Sequence, residues 1–218
     1  MFKSIKDKII SFIYPKKCIF CSEIIPNDKI ICKFCKGKVC TDTKIEIISN
    51  IGEKIISCIS VFKYTDDIRR ILLKFKFSGY RYYSEFFSEI LAEEIIKNKI
   101  DNNIDIVTCV PLSRNRKIQR GYNQSELVAK LVAKNINIEY KDTLTKIKDN
   151  PEQHKLAYDE RFKNVKNVYK IKNIKDIYQK NILICDDIVT TGSTLRECCK
   201  ILIENGANNV VCCAIARA

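Results

Sequence analysis

ILICDDIVTTGST, residues 182–194, carries the most informative pattern in the chain. Its first four residues, Ile182–Cys185, have the length and composition of a buried parallel strand. Two acidic residues and a turn rich in threonine and glycine follow. Apolar residues then recur at helical spacing: Leu195, Cys198, Cys199 and Leu202. We predict a helix with a Thr194–Glu197 capping box at its start and Gly206 at its end.

The loop and the start of this helix predict a phosphate site. Backbone N–H groups in the first turn of a helix lack an internal partner, and the helix dipole favours an anion there. Gly192 allows close approach of the backbone, and neighbouring hydroxyls add donors: Thr190, Thr191, Ser193 and Thr194. The carboxylates of Asp186 and Asp187 would repel a phosphate, but they suit vicinal sugar hydroxyls or a Mg²⁺ ion one group away. A sugar phosphate fits both halves, and a capped helix behind solvated acids is the alternative.

The complete pattern resembles the phosphoribosyl pyrophosphate (PRPP) signature of type I phosphoribosyltransferases. No lysine follows the glycine and no GxGxxG is present, so it matches neither a Walker loop nor a dinucleotide fingerprint. The resemblance implies that the two acids hold the ribose hydroxyls of PRPP and that the loop holds its 5′-phosphate.

The composition is typical of a soluble globular protein with one principal domain and a small appendage. Among 218 residues, 39 are basic and 26 acidic, which gives a formal net charge of +13. This excess favours a polyanionic partner such as nucleic acid, a phosphorylated metabolite or an anionic membrane, although a merely lysine-rich surface gives the same charge. No secretory signal or transmembrane run is apparent, so the twelve cysteines predict a reduced, cytoplasmic protein.

Two CxxC pairs, ten residues apart, lie near the N-terminus: Cys18, Cys21, Cys32 and Cys35. They resemble a short zinc ribbon, in which four thiolates hold a structural Zn²⁺ ion. So small and polar a segment cannot bury enough apolar area to fold without such a staple. We predict one unit over residues 1–45 and a second domain over 46–218, with residues 41–50 as the linker. An amphipathic helix over residues 2–12 either packs on the second domain or lies on a membrane.

The second domain is predicted to alternate strands with helices, as α/β proteins do. The predicted strands, besides residues 182–185, are 55–64, 104–110 and 209–216, and the predicted helices include 66–77 and 83–97. Residues 69–83, RRILLKFKFSGYRYY, mix basic and aromatic side chains. Such a mixture is typical of single-stranded nucleic-acid binding, here through Lys74, Lys76 and Arg81, but a helix with a buried aromatic face and a lysine-rich exterior is the simpler interpretation.

A basic segment follows the strand that ends at Val110. Pro111, Arg114 and Arg116 come just after the carboxyl end of that strand, where open α/β sheets bind ligands. The guanidinium groups of Arg114 and Arg116 suit a pyrophosphate. Residues 149–164 form a long polar segment that is predicted to be a lid or binding loop.

The order of these motifs, with VPLSRNRKIQRGYNQSELVA and DNPEQHKLAYDERFKNV between the cysteines and the PRPP pattern, resembles the ComF family of competence-associated proteins. The resemblance implies a type I phosphoribosyltransferase fold, a parallel sheet with helices on both faces, and a role in DNA uptake during natural transformation. It also implies a helicase-like motor as partner at the inner face of the membrane. PRPP with Mg²⁺ would lie between Asp186, Asp187, the 190–194 loop and the arginines. A non-catalytic protein that handles single-stranded DNA, or a metabolic phosphoribosyltransferase, are the alternatives.

Overall fold

The computed structural model describes residues 15–148 and 168–218. The helix predicted at residues 2–12 and most of the predicted 149–164 loop lie outside these ranges. Over the described residues, no helix combines the length and apolar character needed to cross a bilayer.

Over residues 15–148 and 168–218, the main sheet has six strands and a separate small sheet has two. The strands are β1 (Lys44–Ile51), β2 (Lys54–Lys63), β3 (Ile106–Cys109), β4 (Glu139–Tyr140), β5 (Leu144–Lys146), β6 (Tyr169–Ile171), β7 (Asn181–Val189) and β8 (Asn209–Arg217). The main sheet has the order β1-β2-β8-β7-β3-β4, and β5 pairs with β6. All neighbours from β2 to β4 run parallel, and β1 pairs antiparallel with β2.

In the described part of the chain, six α-helices accompany the sheet: α1 (Lys33–Lys36), α2 (Asp66–Phe77), α3 (Tyr83–Lys97), α4 (Arg114–Arg120), α5 (Gln124–Asn135) and α6 (Ser193–Glu204). One face of the sheet packs against α2, α3 and α5, and its residues include Val107, Leu183 and Cys213. The opposite face packs against α6 through alternate residues such as Ile184 and Cys212. The prediction of a largely parallel α/β sheet with helices on both faces is therefore confirmed.

Two predictions about local structure are wrong. Residues 41–50 are not a linker, because most of them belong to β1, whose edge pairing with β2 supplies their backbone hydrogen bonds. The division of the chain into 1–45 and 46–218 stays a prediction, and its boundary falls within β1. The strand predicted at Ile182–Cys185 is also longer than expected. It is part of β7, which continues through both acids to Val189, since Asp186 and Ile188 still pair with β8.

The N-terminal cysteine segment packs on the helices of the first face. Ile19 is fully buried in the main core, and the ring of Phe20 meets that of Phe86 edge to face at 5.7 Å. The hydroxyl of Tyr82 donates to the carbonyl oxygen of Lys17 at 3.0 Å. This segment is therefore attached to α3 through apolar and polar contacts.

Candidate functional site

The strand order reverses between β3 and β7. From β3 the chain passes through α5 to β4 on one side, and from β7 it passes through α6 to β8 on the other. The two helices consequently cover opposite faces and leave a crevice at the carboxyl ends of β3 and β7, the position at which open α/β sheets bind ligands. This topology explains why segments 79 residues apart in sequence, after Val110 and after Val189, meet at one place.

A cavity of about 490 Å³ opens at this crevice. Eight of the residues predicted for the sugar-phosphate site line it: Pro111, Arg116, Asp186, Asp187, Thr190, Gly192, Ser193 and Thr194. Arg114 and Thr191 are not among the described residues that line the cavity. The cavity also borders residues that the sequence did not point to, chiefly from α2 and from the start of α5.

The 190–194 loop leads directly into α6. Gly192 has φ +70°, a left-handed conformation that a residue with a side chain rarely adopts, and it is the N-cap of the helix. The predicted Thr194–Glu197 capping box is wrong, because the helix begins at Ser193 and Thr194 already lies within the first turn. Glycine has no side-chain oxygen with which to cap the helix, and the N–H of Ser193 donates instead to the hydroxyl of Thr191 at 3.3 Å. The start of α6, which is the positive end of its dipole, lines the cavity through Ser193 and Thr194.

The acidic pair is held by neighbours on both sides. One oxygen of Asp186, Oδ1, accepts from the hydroxyl of Ser125 at 3.0 Å and from the backbone N–H of Asp187 at 2.8 Å. Burial, followed by the charge of Asp187, raises the pKa of Asp186 to about 7, although these donors and Lys76 oppose the shift. The other acid, Asp187, forms an ion pair with Lys76 at 2.7 Å from Oδ2 to Nζ. Near neutral pH the pair therefore carries less negative charge than two free carboxylates would.

The arginine segment after β3 is a short helix rather than a turn. Ser113 caps α4 by accepting from the N–H of Arg116 at 3.4 Å, and Gly121 ends it in a left-handed conformation. Asn123 caps α5 by accepting from the N–H of Ser125 at 3.2 Å, and its side chain also donates to the carbonyl oxygen of Val110 at 3.0 Å. This contact ties the start of α5 to the end of β3 and places Arg116 at the cavity wall.

The four predicted metal ligands lie together. The sulfur atoms of Cys18, Cys21, Cys32 and Cys35 are all within 4.8 Å of one another. A tetrahedral Zn²⁺ site with Zn–S bonds of about 2.3 Å needs sulfur atoms about 3.8 Å apart, which matches the 3.8 Å between Cys21 and Cys32.

The protein also offers N–H donors to these sulfurs. Backbone N–H groups of Cys32 and Cys35 donate to the sulfurs of Cys18 and Cys32, both at 3.4 Å. Burial opposes ionisation of Cys18, but N–H donors from Cys21, Cys32 and Phe20 outweigh it and lower its pKa to about 7. Since thiolates bind metals, this cluster could hold a metal such as zinc, and four protein ligands would leave no open position for catalysis.

Residues 86–218 match the family model described as the phosphoribosyl transferase domain, and they contain all residues that line the crevice except Tyr64 and those of α2. The chain belongs to this family.

Curated relatives agree with the resemblance to the ComF family and confirm it. The DNA utilization protein YhgH of Salmonella typhi is 28% identical over 156 residues, which cover 70% of this chain and 68% of that protein. The competence protein ComFC of Streptococcus pneumoniae is 29% identical over 178 residues, which cover 82% and 74% respectively. Among solved structures, the glutamine PRPP amidotransferase from B. subtilis matches with a TM-score of 0.42 and 22% identity, over 60% of this chain and 25% of that enzyme.

One wall of the phosphoribosyl transferase cleft comes from α2, which precedes the matched residues. Lys76 reaches the acidic pair, and Phe77, whose side chain is 64% exposed, lies at the cavity edge under the guanidinium of Arg120 at 4.9 Å from the ring centre. Lys76 was predicted to lie on an exposed basic surface, whereas its side chain is largely buried in the cleft, so this prediction is wrong for Lys76. Arg81 instead donates to the carbonyl oxygen of Gly121 at 3.2 Å.

The simpler interpretation of residues 69–83 holds for most of the aromatic residues. Phe75 and Tyr83 are buried in the main core, and the ring of Tyr80 stacks on that of Tyr83 at 5.2 Å. Ser125 and Lys76 are the site residues that the sequence prediction missed. A signal existed for Lys76, because it lies four residues after the buried Leu72 and so shares the inward face of α2.

Proposed function

We propose that this chain binds PRPP in the phosphoribosyl transferase cleft and acts in DNA uptake during natural transformation. One observation supports the ligand most strongly: the N-terminus of α6, the 190–194 loop and the two acids open into the same cavity at the reversal of strand order. The two classes of group match the two parts of a sugar phosphate. The names of the relatives, which refer to competence and DNA utilization, support the physiological role.

In the proposed complex the 190–194 loop holds the 5′-phosphate, because its amides and hydroxyls are donors at a positive helix end. Asp186 and Asp187 accept hydrogen bonds from the ribose hydroxyls. Arg116 and Pro111, which line the cavity after the carboxyl end of β3, lie on the side proposed for the pyrophosphate. Arg114 does not line the cavity, and we propose that it contacts the pyrophosphate from the same segment. Mg²⁺ bound with PRPP would neutralise part of the pyrophosphate charge.

If the bound PRPP reacts, the bond between C1′ and the pyrophosphate oxygen breaks and pyrophosphate leaves with the electron pair. A nucleophile then forms a bond to C1′. The arginine side of the cleft would stabilise the charge that develops on the leaving group, and the acids on the ribose side would hold C1′ in place.

Calorimetric titration with PRPP and Mg²⁺ tests the ligand assignment, and ribose without phosphate serves as the control ligand. Asp186→Asn and Asp187→Asn are expected to weaken binding of PRPP, whereas Asp67→Asn, which removes an exposed carboxylate paired with Arg70, should leave it unchanged. Absence of binding to the zinc-loaded wild type would refute the proposal. Release of pyrophosphate on addition of candidate acceptors would distinguish an enzyme from a binding protein.

Single-stranded DNA is a second candidate ligand, and the mouth of the cleft favours it. Phe77 is exposed there beneath Arg120, and Arg69 lines both the cavity and the adjoining shallow groove on α2. An exposed ring among guanidinium groups can stack a base while the cations contact phosphates. This arrangement would let one protein bind a ribose phosphate and a DNA strand side by side.

The chain offers a matched control for this second candidate. Phe34 on α1 is also exposed, at 69%, and has Lys38 over its ring at 3.9 Å. Replacement of a stacking ring by alanine typically costs about 1–3 kcal/mol of binding free energy per base. Phe77→Ala should therefore weaken oligonucleotide binding about fivefold or more in fluorescence anisotropy at fixed salt, whereas Phe34→Ala should not. Equal effects would point to general electrostatic attraction instead.

The proposed motor partner and the inner face of the membrane rest on the resemblance to the ComF family. Co-purification of a helicase-like protein with the full chain from cells competent for transformation would support them. A chain that binds PRPP and releases pyrophosphate, but whose deletion leaves transformation unchanged, would instead be a metabolic phosphoribosyltransferase.

A further inference from the structure

Lys76 forms an ion pair inside the cleft rather than on the surface. Its Nζ lies 2.7 Å from Oδ2 of Asp187, and the two side chains are only 11% and 14% exposed. It comes from α2, whereas Asp187 comes from the carboxyl end of β7, so the pair links opposite walls of the cavity that both residues line. Because α2 precedes residues 86–218, the lysine is an addition to the part of the chain that matches the phosphoribosyl transferase domain.

Lys76 reduces the electrostatic repulsion that the two acids would exert on a phosphorylated ligand. Two adjacent carboxylates beside a phosphate loop would repel a ligand that carries several phosphate charges. A lysine that is largely withdrawn from water requires an anionic partner, and the acid requires a cation in the same way. Lys76 therefore offsets the negative charge of Asp187 at the point where the sugar hydroxyls and phosphates of the ligand would meet.

We infer that Lys76 is a ligand-binding residue, which holds Asp187 in the ligand-free chain and donates to a phosphate group of the bound sugar phosphate. An ammonium group carries three N–H donors, so Nζ can contact both the acid and the phosphate. This inference rests on the proposed function, because it requires a ribose phosphate in the cleft. It assigns to α2 a direct part in recognition of the anion.

A double-mutant cycle on ligand affinity separates direct contact from mere support of Asp187. Lys76→Met is expected to lower affinity for ribose 5-phosphate and for PRPP about tenfold or more in the wild type, and by a similar factor in Asp187→Asn. A loss that disappears in the Asp187→Asn background would overturn the inference, since Lys76 would then act only through the acid. Affinities come from calorimetry at fixed salt.

Three further measurements keep the outcomes distinct. Lys97→Met removes the same charge from an exposed lysine that pairs with Glu94 outside the cleft, and it should leave affinity unchanged. Lys76→Arg retains the charge and should keep more affinity than Lys76→Met, which covers the case in which the methionine variant folds poorly; equal losses in both would count against the inference. If the wild type binds neither ribose 5-phosphate nor PRPP, the proposed function fails, whereas binding that Lys76→Met leaves intact refutes this inference alone.

Discussion

Asp186→Asn should remove a large pH dependence of stability. In the folded chain the pKa of Asp186 is raised to about 7, first because the carboxylate is buried and second because Asp187 is adjacent. In the unfolded chain the same side chain ionises near pH 4. Between these values the folded protein retains a proton that the unfolded chain has released.

The direction follows from proton linkage. Because the unfolded chain binds fewer protons in this window, the free energy of unfolding falls as pH rises from about 4 to about 7. One unit of pKa corresponds to about 1.4 kcal/mol, so a window of about three units gives a loss of up to about 4 kcal/mol. Above pH 7 the loss is complete. Below about pH 4 Asp186 is protonated in both the folded and the unfolded chain, so its ionisation costs no stability there. At neutral pH the full cost is present.

Urea denaturation of the wild type and of Asp186→Asn from pH 4.5 to pH 8.5 measures this effect. Asparagine cannot ionise, so the variant should gain stability relative to the wild type as pH rises and should be the more stable protein at pH 8. Asp67→Asn controls for loss of an exposed carboxylate. Parallel pH profiles for the wild type and Asp186→Asn would refute the argument that the acid is held in an unfavourable environment.

Three other predictions concern the loop, the metal cluster and the core. Gly192→Ala should lower the free energy of unfolding by about 1–2 kcal/mol in urea denaturation and weaken binding of ribose 5-phosphate, because φ is +70° at this position. The new Cβ would lie 3.5 Å from Cβ of Ile48, which is ordinary contact, so the cost comes from backbone strain. The purified chain should contain one Zn²⁺ per molecule by elemental analysis, and chelation should lower its melting temperature and remove hydrogen-exchange protection from residues 15–40 first. Phe87→Ala, at a fully buried ring, should cost about 3–5 kcal/mol in urea denaturation without changing metal content.

Much of the fold could be predicted because local signals agreed with tertiary structure. Both α2 and α3 have the predicted bounds, since Thr65 caps the first by accepting from the N–H of Ile68 and the chain breaks at Ser78. The four metal-cluster cysteines were predictable because their spacing carries the geometry of the cluster. In each case the residues that determine the feature lie close together in sequence.

The errors arose where partners are distant in sequence. β1 was predicted to be a linker, although four of its eight residues are isoleucine. None of its residues is buried, as expected for an edge strand, and its partner β2 is needed to recognise it. The start of α6 was misplaced because a glycine cap with positive φ gives a weaker signal than a threonine. Lys76 could not be assigned to the cleft, since its partner Asp187 lies 111 residues further along the chain.

The part of the chain that precedes the family match bears directly on the cleft. Lys74 donates to the hydroxyl of Ser22 at 2.7 Å, and Ile19 is buried among the residues of the main core, so the cysteine segment is packed against the same helix that carries Lys76 and Phe77. An isolated helix of twelve residues is marginal in water, and its position must come from tertiary contacts. Residues of α2 share the main core with residues of the sheet, and Ser22 of the cysteine segment contacts the helix at Lys74. A bound metal would therefore stabilise more than its own ligands. By ordering residues 15–40 it would also hold α2 in position, and with it Lys76, whose side chain pairs with Asp187.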